Sequence, residues 1–463
     1  MTDTIKLQNI RFISMMRRIF FFVWLLAVLL FWACRDDDSF TTSRQALLTL
    51  PSDTLSMDTV FANTGSSTYT FWIYNRTDDG IRLNSVRLRQ GNQTGFRVNV
   101  DGSYLDNRTG SVVTGLEVHR GDSIRVFVEL TPSEIHEEEP QMITEDLVFS
   151  LESGVEQRIV LRSWVWDAVF MHDVTISSDT LIESRQPIVV YGGLRVDSAA
   201  TLTIRNTTLY FHDGLGIDVY GRLLTDSVTM RGDRLDRMFP YLPYDHVSGQ
   251  WGKQGGIVIH ASSTGNVLRR TEIRNAGQYG IVCDSAAFSA DTLRLDMERC
   301  VVHNCTGTGV AGRHANIRLR ECQLTNMLGD CLAVNGGRVT VSRCTLAQFY
   351  PFSGNRGAAL RFGNELPLYG LVCDSSIVTG YEADVVMGER ADTANVFEFS
   401  FTNTLLRTPR VETDDSVRFA NILWETPKDS IQGTKHFLLI DEKNLVYDFH
   451  LDSLSTAQGL GCY

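Results

Sequence analysis

From about Thr41 to Phe170 apolar and polar residues alternate in short runs, as in "TYTFWIYN" (68–75), "DSIRVFVELTP" (122–132), "DLVFSLES" (146–153) and "QRIVLRSWVW" (157–166). A period of two turns one face of each run to a core and the other to water, and turn residues separate the runs, so a β-sandwich is expected over 46–172. Helical spacing is almost absent. Beyond Asp173 the texture changes to short apolar runs broken by Gly, Asn and Asp.

Those later runs repeat. "DMERCVVHN" (296–304), "IRLRECQLTN" (317–326) and "VTVSRCTLAQ" (339–348) align on Cys300, Cys322 and Cys344, which recur every 22 residues. The same frame places Thr271 before them and Ser375 and Asn403 after them. The branched position two residues on is then Ile273, Val302, Leu324, Leu346, Ile377 and Leu405. A repeat of this length holding two or three short strands marks a solenoid whose coils stack by parallel pairing. Leucine-rich repeats share the length, but their Leu-x-x-Leu-x-Leu frame is missing. Asn275, Asn304 and Asn326 recur at a turn and predict an inward amide ladder. The expected fold is all-β: a β-sandwich, then a right-handed parallel β-helix over 173–463, whose closing "YDFHLDSLSTAQGLG" (447–461) resembles the capping tail of such helices.

The repeat also decides which residues can carry chemistry. A rung shared by Cys, Thr, Ser and Asn asks for small size, so the thiols are read as packing groups. Alternatives are a disulfide such as Cys300–Cys322 between adjacent coils, and a metal site, which a straight column disfavours. Reading Arg299, Glu321, Arg343, Asp374 and Arg269, Glu298, Arg320 down two columns gives alternating signs, hence charge pairing on a solvated face rather than a carboxylate cluster. No metal, cofactor or catalytic residue is assigned.

One segment breaks the repeat: "RGDRLDRMFPYLPYDHVSGQWGK" (231–253). It sets aromatic faces among charged hydrogen-bonding groups, the combination a sugar site uses. Asp233, Arg234, Asp236, Arg237, Tyr241, Tyr244, Asp245, His246 and Trp251 are its candidate ligand contacts. The alternative is that the loop folds over an open edge and buries its rings. The Arg-Gly-Asp at 231–233 is read as a chance match. "QFYPFSGNR" (348–356) is a weaker aromatic loop of the same kind.

Composition narrows the partners. The 463 residues carry a net charge of −12, and without a dense basic patch nucleic acid is not expected. The acidic "SEIHEEEP" (133–140) reads as a solvated loop. At the start, Arg17 and Arg18 precede an apolar run from Ile19 to Ala33, too short to span a bilayer and shaped like a signal peptide over 1–33. Met15 and Met16 offer alternative starts.

"FWAC" (31–34) resembles a bacterial lipobox, with Trp32 bulkier than usual, and the following "RDDDS" resembles the acidic export signal of Bacteroidota lipoproteins. "DTVFANTGSSTYTFWIYN" (58–75), "LTIRNTTLYFHDGLGIDVYGRL" (202–223) and "GQWGKQGGIVIH" (249–260) likewise resemble Bacteroidota surface lipoproteins that join an Ig-like domain to a pectate-lyase-like β-helix. The resemblance implies a lipidated Cys34, a linker over 34–45, an outer-membrane anchor facing outward, and adhesion or binding to polysaccharide or cell-surface glycan. A polysaccharide lyase or glycoside hydrolase is the alternative, though the Asp-Asp, Gly-His-Gly and Arg-x-Lys elements of polygalacturonases are missing. Repeated Asp-Ser/Thr-apolar triplets such as Asp53-Thr54-Leu55 and Asp179-Thr180-Leu181 resemble O-glycosylation acceptors.

Overall fold

The computed structural model describes residues 39–91, 93–212, 214–235, 251–412 and 415–463. These form two units: 39–56, 68–130 and 144–162 in one, and 57–67, 131–143 and 163–463 in the other.

The first unit is a β-sandwich. One sheet orders Thr54–Ser56, Glu156–Trp166, Gln141–Leu151, Ile81–Leu88 and Val112–Val118, and the other orders Tyr69–Tyr74, Ser123–Leu130, Phe96–Val100 and Ser103–Tyr104. The second sheet is antiparallel throughout. Alternation in the sequence becomes alternation in burial: Ile73, Val126 and Val128 are fully buried, whereas Trp72 and Tyr74 beside Ile73 are exposed. The arrangement fits an Ig-like domain.

The second unit is a parallel β-helix with three faces. Face A stacks 169–172, 188–191, 207–211, 228–232, 271–274, 301–303, 323–325, 345–348, 377–380, 405–407 and 423–425. Face B stacks 174–176, 194–196, 217–219, 257–259, 281–283, 310–313, 332–335, 360–363 and 386–389. Face C stacks strands from 180–183 through 317–320 and 399–402 to 419–420. Inside, branched side chains from all three faces fill one continuous core, each fully buried one contributing about 1.5–3 kcal/mol.

The corner from face C to face A is made by one residue. Asn206, Ser227, Arg270, Arg299, Glu321, Arg343, Ser375, Asn403 and Asn421 hold it in successive coils, all left-handed with φ between 43° and 58°. A side chain costs about 1–2 kcal/mol in that region. The ladder nevertheless continues around the bend: Arg299, Glu321, Arg343 and Ser375 each donate their N–H to a carbonyl of the next coil at 3.0 Å.

This corner corrects the sequence register in the last coils. Leu346 pairs with Val378, and Val378 with Leu406. The thiol rung therefore continues through Ser376 and Thr404, and Ser375 and Asn403 are corner residues. Ile377 and Leu405 point outward instead, under the cap, where they pack with Ala347, Phe349, Phe437, Phe449 and Ala457. Because both sides of face A are apolar there, alternation could not tell inside from outside. Asp374 likewise pairs with Ser342, outside the Arg299, Glu321, Arg343 column.

All eight cysteines from Cys283 to Cys462 are free thiols. Of the expected amide ladder one link forms, Asn304 Nδ2 to Asn275 Oδ1 at 2.8 Å. Asn326 is fully buried but its amide makes no hydrogen bond. All three asparagines adopt φ near 60°, a region Asn tolerates better than other side chains. The cap is the hairpin Phe437–Asp441 with Val446–Leu451, followed by 452–463.

Candidate functional site

Face B carries a groove of about 480 Å³ on its outer surface. Strand alternation sends Ala311, Ala333, Arg361 and Met387 outward in one column and Arg313, Asn335, Gly363 and Glu389 in the next. Small residues at three of these positions, Ala311, Ala333 and Gly363, lower the floor, and longer ones at the others build its edges. Tyr279 and Thr308 line it on one side, and Glu365 and Ala391, from longer connections between faces B and C, on the other. Five coils contribute, so the floor runs about 19 Å at a strand spacing of about 4.8 Å.

The polar groups are held by neighbours. Arg313 donates to the Tyr279 hydroxyl at 2.9 Å, Arg361 to Asp330 at 2.8 Å, and Asn335 Nδ2 to Glu365 at 2.6 Å. Arg313 also lies 5.7 Å from the centre of the Tyr279 ring. Such an array offers fixed hydrogen bonds, an aromatic face and a shallow apolar floor, which suits an extended polyhydroxylated ligand. Two carboxylates, Glu365 and Glu389, line the same groove.

Nearer the N-terminal coils, His260 stacks on Tyr220 with ring centres 3.9 Å apart and planes 5° from parallel. Its nitrogens meet Asp218 at 2.8 Å and Asp284 at 3.3 Å. Beneath the adjoining connection, the buried Arg294 donates to the carbonyls of Ser263, Ile259 and His260 at 3.2, 3.1 and 2.6 Å, and to that of Asp284. Among the described residues no three His, Cys, Asp or Glu side chains converge as a metal site would need.

The loop singled out from the sequence is described only at its ends. Asp233 meets His212 Nδ1 at 2.6 Å, and Arg234 donates to Ser67 Oγ. Trp251 must be removed from the contact set: it is fully buried, stacked on Phe211 at 4.9 Å, and its indole N–H donates to the Arg274 carbonyl at 2.7 Å. Asp236, Arg237, Tyr241, Tyr244, Asp245 and His246 lie outside the described residues, as does Cys34. In the second aromatic loop Phe349 and Tyr350 are buried, so their rings are core as well. The groove left a fainter trace in the sequence, small residues at outward strand positions such as Ala311, Ala333 and Gly363.

Fold and groove together define a right-handed parallel β-helix protein with an elongated polar surface site. Residues 167–364 match the family model described as right handed beta helix region. No curated protein matches the chain.

Proposed function

We propose that this is an exported lipoprotein of the Bacteroidota type, anchored through Cys34 at the outer face of the outer membrane. Its β-helix binds extracellular polysaccharide or cell-surface glycan in the face B groove without cleaving it. The observation that carries the reading is the groove itself, with Tyr279, Arg313, Asn335 and Arg361 facing outward over a floor of Ala and Gly. Each of these polar groups is already hydrogen-bonded to a neighbour, so the surface is ordered in advance of the ligand, which favours binding.

The second reading is a glycoside hydrolase. It rests on Glu365 and Glu389 in one groove, since hydrolysis needs an acid and a second carboxylate across the scissile bond.

The test is to incubate residues 39–463 with a panel of neutral and uronic-acid polysaccharides, scoring retention and chain cleavage separately. Retention that falls at least tenfold in Arg313→Ala or Arg361→Ala, with no new chain ends, is the expected result. Cleavage that disappears in Glu365→Gln or Glu389→Gln would replace it with the hydrolase. For the anchor, Cys34→Ser in the full chain should abolish acyl labelling and release the protein from membranes.

A further inference from the structure

The outer side of face A is covered at both ends of the stack. Toward the N-terminal coils Phe61, Val189 and Tyr210 form a small apolar cluster joined by Trp166, Phe170 and Leu235. Toward the C-terminal coils the cap hairpin covers Ala347, Ile377 and Leu405. Between the two covers the outward residues turn polar, Glu272 and Arg274 in one coil and His303 in the next. There a cavity of about 250 Å³ opens against Tyr447 and Tyr463. It is smaller than the roughly 300–1,000 Å³ that hold drug-sized ligands, so it admits about one sugar ring.

The charged groups of the cavity have partners. Arg274 pairs with Glu272 at 2.6 Å, and Arg231 donates to the carbonyls of Gly232 and Arg234. His303 bonds Thr325 Oγ1 at 2.8 Å, and burial, with Arg274 nearby, pushes its pKa down to about 3, so it is neutral. Asn304 differs. Its Nδ2 is used by Asn275, while its carbonyl oxygen is buried without any hydrogen bond, in a residue only 7% exposed. A buried acceptor left unmet costs about 1–3 kcal/mol. It calls for a donor, which a carboxylate or phosphate cannot supply and a hydroxyl can.

We propose that this cavity is a second ligand site, on face A, which takes a single neutral pyranose. One hydroxyl donates to Asn304 Oδ1, neighbouring hydroxyls meet the Arg274–Glu272 pair, and the ring lies beside Tyr447. The site is independent of the groove on face B and does not rest on that reading.

The experiment is ligand-observed NMR titration of residues 39–463 with glucose, galactose and N-acetylglucosamine, with glucuronate as the anionic arm. At least one neutral sugar should saturate in the millimolar range, more tightly than glucuronate. Arg274→Ala and Asn304→Gly, the latter keeping the left-handed turn, should each weaken it about tenfold without lowering the melting temperature enough to unfold the protein. Arg76→Ala, in the sandwich and outside both sites, should leave the sugar's affinity unchanged. Absence of saturable neutral-sugar binding, tighter binding of glucuronate, or affinity untouched by both face A substitutions would overturn the site, while polymer retention on face B is read separately.

Discussion

Cys322 Sγ lies 3.2 Å from the carbonyl oxygen of Arg320, two residues back along the chain. The same relation joins Thr271 to Arg269 at 2.9 Å, Cys344 to Ser342 at 3.3 Å, Ser376 to Asp374 at 2.7 Å and Thr404 to Thr402 at 2.7 Å. From Thr271 onward the rung therefore carries a small side chain with a donor at the γ position, which bonds back across the one-residue corner preceding it, whereas Val228, earlier on the same rung, has no donor.

Replacing that donor gives the first prediction. Cys322→Ser should stay within about 0.5 kcal/mol of the parent, since Ser376 fills the role two coils along the same rung. Cys322→Ala should cost about 0.5–1.5 kcal/mol for the lost hydrogen bond. Cys322→Leu should cost about 1–3 kcal/mol by overpacking. Urea unfolding midpoints would rank the three; Ala matching Ser would show that size alone matters.

The buried thiols should be chemically silent. Burial pushes Cys283, Cys305 and Cys373 up to about 12, so almost no thiolate exists at pH 8 and the nucleophile is missing. Residues 39–463 should react with a thiol reagent only as the protein unfolds, with Cys462, the one partly exposed thiol among those described, leading. Rapid titration of several thiols in the folded protein would contradict this.

Arg407 and Glu425 form a buried ion pair on face A, and Glu425 also accepts from Thr379 Oγ1 at 2.8 Å and from the Gly433 N–H at 2.7 Å. Burial by itself would raise the Glu425 pKa, but His436 Nε2 at 3.3 Å and the hydrogen bonds from Gly433, Thr379 and Arg407 outweigh it and hold the carboxyl below its ordinary value of 4.5. A depressed folded value means the stabilisation is complete above 4.5 and is lost as pH falls below it. Arg407→Ala should cost about 3–5 kcal/mol by stranding the charge, and Glu425→Gln should flatten the acid limb of the stability curve. An acid limb unchanged in Glu425→Gln would place the pH dependence elsewhere.

Trp251 separates core from contact. Trp251→Ala should lower stability by about 3–5 kcal/mol, and at a temperature where the variant is still folded its retention of polysaccharide should equal that of the parent. A stable variant with lost retention would return Trp251 to the binding surface.

The architecture was legible because its period is written in side chains that face one core, and Ile273, Val302, Leu324 and Leu346 hold one column as aligned. Legibility failed where a second apolar layer lies outside: under the cap, Ile377 and Val378 are both buried, and the frame slipped by one. Aromatic-rich loops resemble ligand sites in sequence, yet Trp251, Phe349 and Tyr350 are aromatic because they fill the interior. The groove of face B escaped notice because it depends on residues about 25 apart in sequence becoming neighbours, and on what Ala and Gly leave unfilled.

The one-residue corners between faces C and A leave the chain no slack: an added residue there would invert every later side chain in its strand, core for solvent. The other two corners range from tight turns to the segment around 233–256. New recognition loops, epitope tags or label sites can therefore be grafted at two edges of the prism, while the third serves as its spine and should resist even a single-codon insertion.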